Sequence, residues 1–256
     1  MRPQLLQELT SLFTASAILL PNSQILIQIN KGLAPFTLKY FDTEVTFDFP
    51  EYLITNIPKG VNLSDLQFYL KDSNNEEITI SLGNPFLNNF EQGALFNYFK
   101  RQELFLHNRG GINVYFFKKR SSSNSEKCPA CSGNQRIEDQ FIPLINSSDS
   151  NCDVCFNTGY KDGYFPPILT MFNFTQNISL RDFSFEPVRY DVFTFFTNFF
   201  PSVEKDDLFY SAELNRLFRI ITIQTNQYKG IPLLQMFQAQ TVDQNSNLWK
   251  LIQRIH

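Results

Sequence analysis

Four cysteines are the residues best suited to chemistry. They stand as Cys128-Pro129-Ala130-Cys131 and Cys152-Asp153-Val154-Cys155, two C-x-x-C units separated by twenty residues, and they are all the cysteine the chain has. A C-x-x-C turn places two sulfurs on one side of a metal at about 2.3 Å, and a second turn completes a tetrahedron. Four thiolates form a soft, closed site. That favours a structural Zn2+ and leaves no open position where water or substrate is activated. Two disulfides are the alternative for a secreted chain. The first twenty residues do not read as a secretion signal. Leu5, Leu6, Leu9, Leu12, Phe13 and Ala17 fall at helical spacing, with Gln7 and Glu8 between them. The longest apolar run there, residues 17–20, is too short for a signal or a membrane span.

Other reactive residues are sparse. The histidines are His107 and His256, and His107 reads as a residue near a helix end. The acid pairs Glu76-Glu77 and Asp206-Asp207 read as solvated edge charges. No Gly-rich phosphate loop, Ser-His-Asp order or H-E-x-x-H motif occurs, so the expectation is a protein that is not an enzyme. With 22 basic and 25 acidic residues the net charge is −3, which offers no large field for phosphates. Near the cysteines, Lys118, Lys119, Arg120, Lys127, Arg136 and Lys161 are balanced by Glu126, Glu138, Asp139, Asp149, Asp153 and Asp162. A loop staple or subunit interface is therefore favoured over a zinc ribbon that binds nucleic acid.

The elements that position the cysteines are mostly short strands. The 256 residues suffice for one large domain or two modest ones. A helix is expected from Pro3 to the turn at Pro21-Asn22-Ser23. Period-two segments follow at residues 25–29, 36–41, 45–49, 52–57, 66–70 and 78–82, and read as an antiparallel sandwich or small barrel. Residues 86–105 read as helix and 113–119 as a strand leading to the cysteines. A polar spacer, flexible by composition, occupies 121–125. Beyond the second C-x-x-C, Gly159 and Gly163 let the backbone turn back towards the metal. Strands are then expected at 168–174, 178–185, 190–196, 206–210, 217–224 and 233–242, with 248–252 closing the chain, as a small barrel of SH3-like or OB-like kind. The expected class is mainly β with a few helices (α+β). The expected units are a helix plus β-rich domain (1–85), a helix-and-strand linking segment (86–127), a zinc-ribbon-like insertion (128–167) and a C-terminal β-rich domain (168–256).

Phenylalanine is unusually common, at 28 residues, with ten tyrosines beside it. An AT-rich coding sequence accounts for this in one reading. In the other, aromatic surface serves assembly. The candidates for such contacts are Tyr160, Tyr164 and Phe165 beside the metal, and Phe193, Phe195 and Phe196 further on.

One stretch resembles a known family. Val114-Tyr-Phe-Phe-Lys-Lys-Arg120, Cys128-Pro-Ala-Cys131, Cys152-Asp-Val-Cys155 and Thr158-Gly-Tyr-Lys-Asp-Gly-Tyr-Phe-Pro-Pro167 are similar to segments of tailed-bacteriophage virion proteins. In those, a strand ending in basic residues leads to a C-P-x-C knuckle. The second knuckle there runs into Gly-Thr-Gly-aromatic-x-Gly-Gly-Tyr-Tyr-x-Pro. Asp207-Leu208, residues 219–223 and residues 230–238 continue the likeness, which spans residues 90 to 252 in outline. Asn157 stands where the family often has Gly, and Asp162 replaces the first Gly of the Gly-Gly pair. The resemblance implies a structural protein of the virion, assembled in the host cytoplasm. Its expected place is the neck, as a head-to-tail connector, or else the tail or baseplate. It implies cyclic homo-oligomers in contact with portal, neck, tail or baseplate subunits, and no membrane. J-domain co-chaperones also carry C-x-x-C-x-G units, but they use eight cysteines and a helical His-Pro-Asp domain that this chain lacks.

Overall fold

A computed structural model describes residues 13–20, 24–57, 66–83, 111–130, 152–175, 192–228 and 231–255, together with Ala94, Leu95, Asn97, Tyr98, Lys100 and Arg101. Those six positions are helical, in line with the helix expected at 86–105. Among the described residues the other regular elements are thirteen strands and a C-terminal 3-10 helix: β1 (Thr14–Leu19), β2 (Ile25–Lys31), β3 (Phe36–Tyr40), β4 (Thr43–Phe47), β5 (Glu51–Ile54), β6 (Gln67–Lys71), β7 (Glu77–Gly83), β8 (Gly111–Phe117), β9 (Ile168–Thr175), β10 (Val192–Thr197), β11 (Leu208–Ser211), β12 (Arg216–Tyr228), β13 (Ile231–Thr241) and the helix Asn247–Ile255. The chain is mainly β, as expected. The expected strand at 178–185, residues 1–12 of the expected N-terminal helix, His107 and His256 lie outside the described residues.

The first seven strands form one sheet in the order β4-β3-β6-β7-β1-β2-β5. Alternation sets its inner face: Phe36 and Leu38 of β3, Phe68 and Leu70 of β6, and Ile25, Ile27 and Ile29 of β2 share one core with Phe13 and Ile54. The sheet curls until its edge strands meet, with the Phe47 ring of β4 5.0 Å from Tyr52 of β5. One expectation fails here. Residues 14–19 are a strand, because β1 lies between β2, which it pairs antiparallel, and β7, which it pairs parallel. Helical spacing of the apolar residues gave way to ladder bonds on both sides.

The second body is a closed barrel of six strands, β10-β13-β12-β11-β8-β9, with every pair antiparallel. Consecutive β10 and β11 are not neighbours, so the chain crosses one end of the barrel between them. Each strand contributes one phenylalanine to the core inside the barrel: Phe116, Phe172, Phe195, Phe209, Phe218 and Phe237. The register sets Phe116 and Phe218 beside Phe209, and Phe195 beside Phe237. Phe209 lies edge-on to Phe195 at 4.8 Å and stacks on Phe218 at 4.8 Å. Eight of the 28 phenylalanines are thus buried in the barrel core, counting Phe49 and Phe165, and each such ring removes on the order of 150–250 Å² from water.

β8, expected in a linking segment, is a barrel strand paired with both β9 and β11. The cysteines therefore lie on an excursion between two paired strands of the barrel. The segment at 248–252, expected to follow the strand rhythm, is part of the 3-10 helix packed on the barrel's outer wall through Leu248 and Leu251. The two bodies touch. Phe49, after β4, is in the barrel's core cluster, and Phe199 after β10 packs with Leu20 and Leu26. No helix among the described residues is long and apolar enough to cross a membrane.

Candidate metal centre

The ladder between β8 and β9 continues beyond the barrel and carries the cysteines at its far end. Phe165 N–H donates to Lys118 O (2.9 Å) and Arg120 N–H to Gly163 O (3.0 Å). Past the 121–125 loop, Lys161 N–H donates to Glu126 O (2.9 Å) and Cys128 N–H to Gly159 O (2.8 Å). Isolated bridges at Lys119–Tyr164 and Lys127–Tyr160 complete this ribbon. The spacer at 121–125, read as flexible, is a built turn. Ser121 N–H donates to Asn124 Oδ1 (2.9 Å), Arg120 Nη1 to Ser125 Oγ (3.2 Å), and Gly32 N–H to Ser123 O (2.8 Å). Asn124 and Ser125 are buried, because the turn docks on the N-terminal sheet.

Three of the four predicted ligands come together. The sulfurs of Cys128, Cys152 and Cys155 all lie within 4.8 Å of one another, and Cys128 Sγ is 3.9 Å from Cys152 Sγ. The edge of a tetrahedron with bonds of about 2.3 Å is about 3.8 Å, so this spacing suits thiolates sharing a metal ion. The three are not disulfide-bonded, and Cys128 and Cys155 are buried. Cys131, the fourth predicted ligand, lies outside the described residues.

The second C-x-x-C is shaped by a run of left-handed residues. Phe156 N–H donates to Cys152 O (2.9 Å), and Thr158 donates to Cys155 O through its N–H (3.0 Å) and its Oγ1 (2.8 Å). Cys152 N–H donates to Asn157 Oδ1 (3.2 Å). Phe156, Asn157, Gly159, Asp162 and Gly163 all have φ between 50 and 80°. Asn and Asp are the non-glycine residues that tolerate this region best, while a phenylalanine there is an outlier held by its surroundings. At Gly163 a Cβ would strike the carbonyl oxygen of Cys155.

Beneath the ribbon lies an ionic cluster that sequence reading missed. Asp207, expected at a solvated edge, is fully buried. Its Oδ1 accepts Lys119 N–H (2.8 Å), its Oδ2 accepts Glu204 N–H (2.7 Å), and Lys118 Nζ stands 3.6 Å away. Lys118 is also buried, bonded to Ser202 O (2.9 Å) and Glu204 (3.0 Å). Burial pushes the Asp207 carboxyl up to about 7, against the pull of Lys118 and the two N–H donors. Burial lowers the Lys118 ammonium, but Asp207, Glu204 and Glu51 outweigh it and hold the group above its ordinary value. The chain crossing after β10, which carries Ser202, Glu204 and Asp207, brings these groups together with Lys118 and Lys119. A basic run in sequence gave no hint of it. Glu76-Glu77, expected at a sheet edge, stands instead at the solvent-facing end of the β6–β7 hairpin in the sheet's interior, where Glu77 pairs with Lys71 at 3.3 Å.

The aromatic contact candidates divide. Phe165 and Phe195 are wholly inside the barrel, and Tyr164 is buried with its hydroxyl donating to Asp206 O (3.3 Å). These three are core residues with no surface to offer a neighbour: β10 turns Phe195 into the barrel, and the ribbon pairing before β9 carries Phe165 into the barrel core and Tyr164 into the cluster on its outer wall. Tyr160, Phe193 and Phe196 are half-buried.

No family model, no curated protein and no solved structure matches this chain.

Proposed function

We propose that the chain is a non-enzymatic structural subunit of a tailed-phage virion, in the neck as a head-to-tail connector. In this reading Cys128, Cys131, Cys152 and Cys155 hold one structural Zn2+ that staples the excursion between β8 and β9. The observation that carries it is backbone conformation in the segment resembling virion proteins. At Asn157, where the family often has glycine, and at Asp162, in place of the first glycine of the Gly-Gly pair, φ is 67° and 63°. The chain keeps the left-handed turns that glycine serves, using the two residue types that best replace it. Gly159 and Gly163, which match the motif, are left-handed too.

Zinc is assigned on the donor set. Thiolates are soft ligands, four of them close a tetrahedron, and binding contributes to folding rather than to reaction. A nucleic-acid role is disfavoured by how the cations near the site are spent: Lys118 on Glu204 and Asp207, Lys119 on Asp206, Lys161 on Glu126 and Lys250 on Asp153. Copies assemble as a ring, with portal, neck, tail or baseplate subunits as partners, and Tyr160, Phe193 and Phe196 remain as contact residues.

Mass spectrometry of purified particles tests this, with the chain expected at a fixed copy number. Cys155→Ser should yield particles lacking the chain, with heads and tails unjoined. Particles that lack the wild-type chain altogether would refute the reading.

A further inference from the structure

The C-terminal helix Asn247–Ile255 is seated on the metal loop. Asn247 Nδ2 donates to Cys152 O (3.4 Å) and Lys250 Nζ pairs with Asp153 Oδ2 at 2.6 Å. Arg254 Nη1 donates to Asp162 O (3.0 Å), and its guanidinium lies 5.0 Å from the centre of the Phe156 ring. Leu248 and Leu251 are buried in one cluster with Phe156, Tyr164 and Phe117, Leu208 and Leu217 of the barrel wall. One side of the helix thus reads the residues beside Cys152 and Cys155, and the other seals the barrel.

Two features make this seat conditional. A 3-10 helix longer than three or four residues is uncommon, because its hydrogen-bond geometry is poor. This one runs for nine residues and so depends on what it packs against. Its partners Phe156 and Asp162 are both left-handed, a conformation that their surroundings must impose. A metal ion held by the three clustered sulfurs would fix it beyond the local hydrogen bonds, since Phe156 follows Cys155 directly and Gly163 packs on the Cys155 carbonyl.

We infer that metal binding and docking of the C-terminal helix are coupled: the metal builds the seat on which residues 247–255 close over the barrel wall. This rests on the metal reading of the cysteines and is independent of the virion assignment. By linkage, loosening the helix must weaken metal binding by the factor with which metal loss loosens the helix.

Trp249, the only tryptophan, lies on this helix 6.2 Å from Tyr210 of β11 and reports its docking. The experiment uses the full chain loaded with zinc, whose zinc content is measured first. Zinc is then withdrawn with a chelator, while Trp249 emission and amide exchange are followed. The expected result is a red-shifted emission and at least about tenfold faster exchange in 247–255, with β12 and β13 still protected, all reversed by added zinc. Arg254→Ala and Lys250→Ala, which leave the cysteines intact, should each weaken zinc binding about three- to tenfold. Zinc loss without change at Trp249, or variants that bind zinc as tightly as wild type, would overturn the coupling while leaving the metal site standing. A chain that takes up no zinc would overturn the metal reading, and the coupling with it.

Discussion

Gly163 is the residue of the centre least open to change. Its φ is 67° and a Cβ would meet the Cys155 carbonyl, so strain and collision act together. Gly163→Ala should destabilise the chain by about 2–4 kcal/mol in urea unfolding and lower its zinc affinity. Asp162 is the contrasting case, left-handed without being glycine. Asp162→Gly should stay within about 1 kcal/mol of wild type, whereas Asp162→Val should cost more, because a branched Cβ is poorly accommodated there. Lys118 is the partner of a fully buried carboxylate. Removing it as Lys118→Met should cost about 3–5 kcal/mol at pH 8, because the buried Asp207 must then stay charged without its cation or take up a proton from solvent. The sign with pH follows from the carboxyl's raised pKa. The folded state holds a proton that the unfolded state releases, so stability from this group is present below about pH 4 and is lost as pH rises through about 7. Unfolding of the zinc-loaded variant at pH 6 and pH 8 should therefore show the loss growing with pH.

At the scale of elements, the barrel's stability rests on six phenylalanines, one from each strand. Phe209 touches Phe172, Phe195, Phe218 and Phe237, so Phe209→Ala should cost about 3–5 kcal/mol, read as a lower midpoint in denaturant. Most strands were legible in sequence, because a curled sheet and a barrel each bury one face and impose period two on their residues. β2, β3, β6 and β13 fall within a few residues of where alternation places them. β1 was not legible, since its strand character comes from β2 and β7 on either side of it. Nor was the closing helix, whose conformation is supplied by the barrel wall and the metal loop. The cysteine spacing brought together Cys128, Cys152 and Cys155 correctly, because a C-x-x-C turn is a local device. The inward turn of Phe165 and Phe195 was hidden, because composition says how many aromatics exist and not which way a strand faces.

At the scale of the molecule, sheet and barrel are joined through a seam. Phe49 enters the barrel cluster and lies 6.2 Å from both Phe116 and Phe165. Buried Glu51 accepts Ser202 N–H at 2.8 Å, and Gly32 bonds Ser123 of the turn before the cysteines. The metal loop is thus braced by the N-terminal sheet on one side and by the C-terminal helix on the other. Whether the four cysteines bind one metal ion is tested most directly by native mass spectrometry of the purified chain. The expected result is one zinc per chain, with four protons displaced from the thiols, and zinc lost in Cys155→Ser. A metal-free chain with free thiols, or one carrying two disulfides, would contradict it.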